Sequence, residues 1–484
     1  CHPRRCHADA AADLRALPSH LLIDVPEESV HNEAAATRLL VIGGGPAGHS
    51  AATQAATFGA DVTLVEDKIV GGAAHLWDCI PSKAMVASSM RLRSIRNASQ
   101  LGISDPGPAA LDMHNLSDHV NGIADTIAQG ITSMLDSQGV NIVRGRARFV
   151  GPNAAVAETE DGDVPLEFDH ALISTGSRPR VPAWADVDGE RVITTRDAYH
   201  LAVLPERIVI IGSGVTGVEM VHIFSSLGSE VALLVSRHHV LPHRDAEVAS
   251  VLEEDFLARG VELLKGSRAT GATRNGDTVT VTTEDGRSVS GSHVLLAVGS
   301  VPNSEGLGLG EAGVESDGAY VPVDGYQRTN VPHIYAAGDV TGQLPLSSVA
   351  TMQGRKIAHH IVGREATPID YRKVTQAIFT EPEIASVGLE EVDAAMEGRK
   401  VRITKVPLAA NPRAIIQGDT TGFIKVVSDP ATRVVLGGTV VGHHASELIS
   451  PIALATQGRI MVDTLVETLM VHPSFTESIS EAAE

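Results

Sequence analysis

Two glycine triplets, Gly43-x-Gly45-x-x-Gly48 and Gly212-x-Gly214-x-x-Gly217, have the spacing that cradles a pyrophosphate. Each follows an apolar run and opens a helix-forming stretch. The backbone can then approach a phosphate while the helix N-terminus supplies amide donors and a partial positive charge. One such triplet is weak evidence; two matched copies between strand and helix are much stronger. The copies differ where a ribose would lie. In the first, Glu66 ends the next strand and Asp67 follows. A carboxylate there accepts from both ribose hydroxyls and repels a 2′-phosphate. In the second, the same offset holds Val235, followed by Ser236, Arg237 and His238, so a guanidinium stands where a 2′-phosphate would be met. Two different dinucleotides are expected, the second being NADPH or NADH.

The stretch GGAAHLWDCIPSK, from Gly71 to Lys83, carries one cysteine, Cys79, just ahead of Pro81. Proline favours the first turn of a helix, and a thiol at a helix N-terminus is expected to ionise below the ordinary thiol range. The competing reading is a small apolar side chain kept for packing. Five residues earlier stands Ala74, so no intramolecular disulfide can form there. Near the C-terminus, Glu477 follows His472 past Pro473, where a carboxylate can orient an imidazole as general acid or base. A surface histidine with no role is the alternative. The doublets His359-His360 and His443-His444 are expected to point their side chains apart on a helix or strand, and no metal site is expected.

Positioning these groups takes repeated elements. Residues 38–66 and 207–235 each read strand, glycine turn, helix, strand, the start of a dinucleotide fold. Ala47, Ala51, Ala52 and Ala55 would let the first helix lie close to its sheet. Val120, Ile123, Ile127, Ile131 and Met134 recur at helical spacing, with Gly139 as a C-terminal cap. Short strands follow, HALISTGSRP returns to the sheet, and VPHIYAAGDVTG is a further strand ending in a turn. Strands such as GFIKVV and VVLGGTVVG then mark a separate α+β region. At 484 residues several domains are expected. Their expected bounds are 37–185 with 306–367, then 186–305, then 368–484, and residues 1–36 are expected to be a mobile extension or a mis-called start. A net charge of −21 without a basic patch argues against nucleic acid. Three cysteines cannot build a disulfide framework, and with no apolar run of membrane length a cytoplasmic protein is expected.

The ordered signatures GGGPAG, CIPSK, ISTGSRP, GSGVTGVE, AVGSVPN, YAAGDVTG and HPSFTE resemble the class I pyridine nucleotide-disulfide oxidoreductases, from about Leu39 to Glu481. The resemblance implies an α/β fold with two Rossmann-like domains, for FAD and for NAD(P)H, and a C-terminal α+β domain that forms a homodimer. It implies FAD contacts at Gly43, Gly45, Pro46, Ala47, Gly48, Glu66, Asp67, Gly72, Ala73, Lys83, Thr175 and Gly176, with Asp339 on the ribityl chain. NAD(P)H would meet Gly212, Gly214, Val215, Thr216, Gly217, Glu219, Ser236, Arg237, His238 and Gly299. Lys83 and Glu219 would pair beside the reactive flavin nitrogen, and His472 with Glu477 would cover the partner's flavin. The family's redox stretch reads GGTCxxxGCIPSK. With Ala74 at the first cysteine, thiol–disulfide exchange loses its route. The variant GGAAxxxDCxPSK is similar to actinobacterial flavoproteins that reduce quinones with NAD(P)H. A quinone-type acceptor is therefore expected. The rival readings are a soluble transhydrogenase, a peroxidase using Cys79, and a flavin-bound sensing subunit with little turnover.

Overall fold

In the computed structural model, which describes residues 36–96, 98–104 and 109–484, strand Arg38–Ile42 lies at the centre of a five-stranded parallel sheet. Its neighbours are Asp61–Glu66 and His170–Ile173, with Asn141–Arg144 and Ile334–Ala336 at the edges. Leu39, Leu40, Val41 and Ile42 are all buried, as a parallel strand covered on both faces requires. The edge strand Ile334–Ala336 comes from far along the chain, so this unit is built from two separated segments. Helix Pro46–Thr57 packs on the sheet through Ala47, Ala51, Ala52 and Ala55, all at or below 3% exposure. Beside it, in the same core layer, lies helix Ser347–Ile361. A Cβ on Gly354 of that helix would come 2.2 Å from the carbonyl oxygen of Ala47, so the two helices meet backbone to backbone.

A second five-stranded parallel sheet runs Glu262–Lys265, Glu230–Val235, Arg207–Ile211, His293–Leu296, Val192–Thr194. The C-terminal sheet has five antiparallel strands, ordered Gln376–Ile378, Glu383–Gly388, Val435–Gly442, Phe423–Ser428, Arg402–Pro407. Helices Ser450–Gly458 and Glu477–Ala483 bury Ile452, Ala455, Ile479 and Ala482 in its core. The fold is thus α/β with two Rossmann-like sheets and a C-terminal α+β unit. The expectation for residues 1–36 falls, but for Ala36, outside the described residues.

Two local expectations need correction. Helix Met113–Ser137 forms, capped by Asp112 and closed by Gly139 at φ +75°, but its buried stripe differs from the expected one. Leu116, Val120, Ala124, Ala128 and Leu135 are buried, whereas Ile123, Ile127 and Ile131 are half-buried and Met134 is exposed. The buried face is turned slightly from the expected one: Val120 is shared, and Leu116, Ala124, Ala128 and Leu135 complete it. The second correction concerns His443 and His444, whose rings sit 3.8 Å apart. His444 adopts φ +56° just past strand Val435–Gly442, so the alternation of a regular strand does not apply.

The second Rossmann-like unit is tied to the C-terminal sheet by a buried cation. Lys425, 1% exposed, pairs with Asp245, with Glu247 at 2.6 Å and with Glu391 at 3.5 Å. The three carboxylates that cluster closely enough to hold a metal thus already surround an ammonium group. Removing one partner of a buried pair strands the other charge, so Lys425→Met should destabilise by about 3–5 kcal/mol. Denaturant unfolding followed by intrinsic fluorescence checks this; an unchanged midpoint would contradict it.

Candidate flavin and nicotinamide site

In each glycine loop the first and third glycines are demanded by the protein itself. Gly43 has φ +98° and Gly212 φ +115°. A Cβ on Gly48 would lie 1.9 Å from the carbonyl oxygen of Gly43, and one on Gly217 would lie 1.8 Å from that of Gly212. The middle glycines differ. Gly45 and Gly214 are extended, and an added Cβ would meet nothing nearer than the Ser174 carbonyl oxygen at 3.9 Å for Gly45 and nothing at all for Gly214. Neither strain nor a protein neighbour calls for glycine there; close approach of a ligand does. The residues therefore fit dinucleotides at both loops. Pro46 and Ala47 open the first helix, Val215 and Thr216 the second.

Glu66 stands at the end of its strand with both carboxylate oxygens engaged. Oε2 accepts from the Gly44 amide at 2.7 Å and Oε1 from the Lys68 amide at 2.9 Å. Burial pushes its pKa up, and the two amide donors oppose that. Asp67 adjoins it. At the matching place in the second unit Val235 is buried, while Ser236, Arg237 and His238 are exposed. Gly72 packs on the first loop, since a Cβ on it would lie 2.9 Å from the Gly45 Cα, and Ala73 and Ala74 follow in short helix Gly72–Leu76.

Lys83 and Glu219 are brought together by two helices 136 residues apart in sequence. Cys79–Arg96 presents Lys83 and Val215–Leu227 presents Glu219, with Nζ donating to the two carboxylate oxygens at 3.1 and 2.9 Å. The Glu219 side chain is 6% exposed and Lys83 33%. The amide of Phe379 also donates to Glu219 Oε1 at 2.9 Å, and the Phe379 ring lies 4.7 Å from Nζ. Asp339, in the turn Gly338–Thr341, accepts from Ser177 Oγ at 2.6 Å. Gln353 accepts from the Gly338 amide at 2.7 Å and so holds that turn. Thr175 and Gly176 are fixed by Asn303, whose amide reaches the Gly176 carbonyl at 3.0 Å, and Gly299 turns the chain at φ +96°. Sequence reasoning missed Ser177, Ser347, Gln353 and Phe379. The first lies inside the ISTGSRP signature, but Phe379 acts through its main chain and leaves no side-chain signal.

Of the two readings of Cys79, the geometry favours the packed side chain over the ionised thiol. Cys79 does begin its helix, yet burial pushes the thiol up; the Ser347 hydroxyl at 3.3 Å and Lys83 counter this only in part. Loss of solvation outweighs the partial charge of the helix end. His472 and Glu477 pair, Nδ1 to Oε1, at 2.6 Å, and Oε2 accepts from the Ser474 amide at 2.8 Å. The Ser474 amide and His472 hold Glu477 below the usual carboxylate range, and the imidazole is 71% exposed.

Two outcomes follow. Gly45→Ala should leave the thermal midpoint of the flavin-free protein within a few degrees but lose yellow colour on desalting, whereas Gly48→Ala should lower the midpoint itself. Equal flavin retention by Gly45→Ala and wild type would contradict the first. Because Cys79 is held as a thiol, alkylation of its peptide by iodoacetamide, followed by mass spectrometry, should be slow at neutral pH. It should keep rising above the ordinary thiol range near pH 8.5. A plateau below that range would overturn this.

The family model "Pyridine nucleotide-disulphide oxidoreductase" matches residues 37–354, and that family's dimerisation domain matches residues 374–483. A Mycobacterium tuberculosis protein named NAD(P)H dehydrogenase (quinone) is 43% identical over 92% of this chain and 93% of its own length. A dihydrolipoyl dehydrogenase of Haloferax volcanii is 37% identical over 93% of this chain and 96% of its own. The crystal structure of LpdA from Mycobacterium tuberculosis superposes with a TM-score of 0.88 at 43% identity, covering 92% of this chain and 99% of that one. The chain belongs to the pyridine nucleotide-disulphide oxidoreductase family and is a flavoprotein oxidoreductase of the FAD and NAD(P)H type.

Proposed function

We propose that this chain passes hydride from NAD(P)H to FAD and then two electrons to a quinone, without a redox disulfide. The carrying observation is the sulfur count at the site. Cys79 has Ser347 as its polar partner, and Ala74 offers no second thiol. Reduction of a disulfide substrate therefore has no relay here. The M. tuberculosis relative named as a quinone-dependent dehydrogenase supports the same acceptor class.

Under this reading residues 37–185 with 306–367 hold FAD, 186–305 hold NAD(P)H and 368–484 form the dimer contact. Bound FAD would supply the hydride acceptor; the protein supplies position and charge. Gly43, Gly45 and Gly48 take the pyrophosphate, Glu66 the ribose, and Asp339, steadied by Ser177, the ribityl chain. Lys83 places a cation at the reacting ring, and Glu219 with the Phe379 amide keeps it there. The partner subunit's His472, oriented by Glu477, lines the acceptor side as a general acid. Arg237 takes a 2′-phosphate, which favours NADPH. The raised thiol of Cys79 weighs against a peroxidase, whose cysteine must be a thiolate.

Stopped-flow reduction by each nicotinamide, then reoxidation by quinone, NAD⁺, peroxide and oxidised lipoamide in parallel, tests the proposal. Quinone should be the fast acceptor; fast reoxidation by lipoamide alone would end it. Losing one charged hydrogen bond costs about 1.5–3 kcal/mol, so Arg237→Ala should raise KM for NADPH on the order of 10- to 100-fold and spare NADH. Equal loss for both donors would remove the phosphate site.

A further inference from the structure

Asp78 precedes Cys79 on the loop where the family's redox stretch carries glycine, and neither the flavin contacts nor the Lys83–Glu219 pair use it. Its carboxylate reaches Arg196 Nη2 at 3.5 Å. Arg196 is itself fixed, with its guanidinium 4.7 Å over the Trp77 ring and a hydrogen bond of 2.9 Å to the Ser177 carbonyl. Ser177 is also the residue whose hydroxyl holds Asp339. Asp78 is thus linked through Arg196 and Ser177 to the carboxylate assigned to the ribityl chain. It lies within charge range of both Asp339 and Lys83. The groups that face it are Arg196 from helix Thr195–Ala198, Asp339 from the turn Gly338–Thr341, Lys83 and Cys79 from its own side, and the buried Tyr199. One anion, Asp339, and two cations, Arg196 and Lys83, surround a side chain that remains 41% exposed, and burial still pushes the Asp78 carboxyl up.

We propose that Asp78 is a proton-exchanging carboxyl of the flavin site, gaining one proton when hydride arrives and losing it when the electrons leave for the quinone. The proposal rests on the reading above. Hydride from NAD(P)H brings two electrons and one proton, so the site gains one negative charge. A new anion beside a carboxylate favours its protonated form, and solvent supplies that proton. On reoxidation the quinone receives two electrons and a proton from the bound ring. The O–H bond of Asp78 breaks, and the partner subunit's His472 relays that proton to the second quinone oxygen. One NAD(P)H, one proton and one quinone give NAD(P)⁺ and one hydroquinone, and Asp78 ends ionised as it began.

The readout is the midpoint potential of the bound flavin, measured spectroelectrochemically on the FAD-loaded full-length protein between about pH 6 and pH 8. For two electrons, each proton taken up moves the potential by about 30 mV per tenfold change in proton activity. Hydride alone carries one proton; with Asp78 the wild type should fall by about twice that slope, roughly 60 mV per pH unit. Asp78→Asn should halve the slope, Asp78→Glu should restore it, and His472→Gln should leave it at the wild-type value. A wild-type slope equal to that of Asp78→Asn would overturn the proposal, as would a halved slope in His472→Gln with Asp78→Asn unaffected. Because no quinone enters the measurement, failure of the acceptor assignment appears separately, as absent reoxidation.

Discussion

The contact between Lys83 and Glu219 depends on three distant parts of the chain arriving together. Glu219 is almost fully covered, and a bare carboxylate there would cost several kcal/mol. Its compensation comes from an ammonium on the helix after the redox stretch and from an amide at the start of the C-terminal region. Neither donor lies on Glu219's own helix. The charge is satisfied only when the first Rossmann-like sheet, the second and the C-terminal sheet are all docked, so one ion pair couples assembly of the fold to the placement of the Lys83 ammonium.

The same three segments are joined again further from the ring. One turn after Glu219, His222 is fully buried and its Nδ1 meets Arg259 at 3.0 Å. Arg259 also pairs with Asp255 at 2.6 Å. Arg93, near the end of the Lys83 helix, reaches Asp255 and Glu381, each at 3.4 Å. Burial and then the adjacent Arg259 lower the His222 pKa, so it stays a neutral acceptor and adds no further positive charge. Glu381 lies two residues beyond Phe379. The amide that steadies Glu219 therefore sits on the loop just after strand Gln376–Ile378, a loop held at Glu381 by Arg93 and Arg259 from the other units. This network fixes angles between helices that a single ion pair would leave free.

How far the sequence could be read follows from which atoms carry each task. The glycine loops were legible because steric demand is written in residue type: only glycine tolerates a backbone carbonyl 1.8–1.9 Å from where a Cβ would be. The buried parallel strands were legible as continuous apolar runs. Lys83 with Glu219 came from resemblance, since nothing in their spacing announces a contact across 136 residues. Phe379 stayed hidden because its amide acts, and every residue has one. Cys79 stayed open between two readings because a helix end is visible in sequence and desolvation is not. In the long helix at 113–137 the expected stripe was only partly right, because the buried face includes Ala124 and Ala128, which carry little weight in a hydrophobic pattern.

Charge bookkeeping around the site explains why a missing sulfur has consequences beyond the disulfide. In a two-cysteine relative, electrons leaving the flavin can rest in a pair of sulfurs. Here they cannot, because Ala74 offers none and Cys79 is held as a neutral thiol by burial. The fixed charges are already matched: Lys83 by Glu219 and Arg196 by Asp78, with Asp339 bound to a neutral hydroxyl. The Lys83 ammonium already answers Glu219, so it offsets only part of a negative charge that arrives with hydride. Under the proposal above, a proton balances the remainder, taken by the Asp78 carboxyl that burial already pushes up. Under the proposal above, the aspartate that stands beside Cys79 in place of the family motif's glycine is the group that takes this proton.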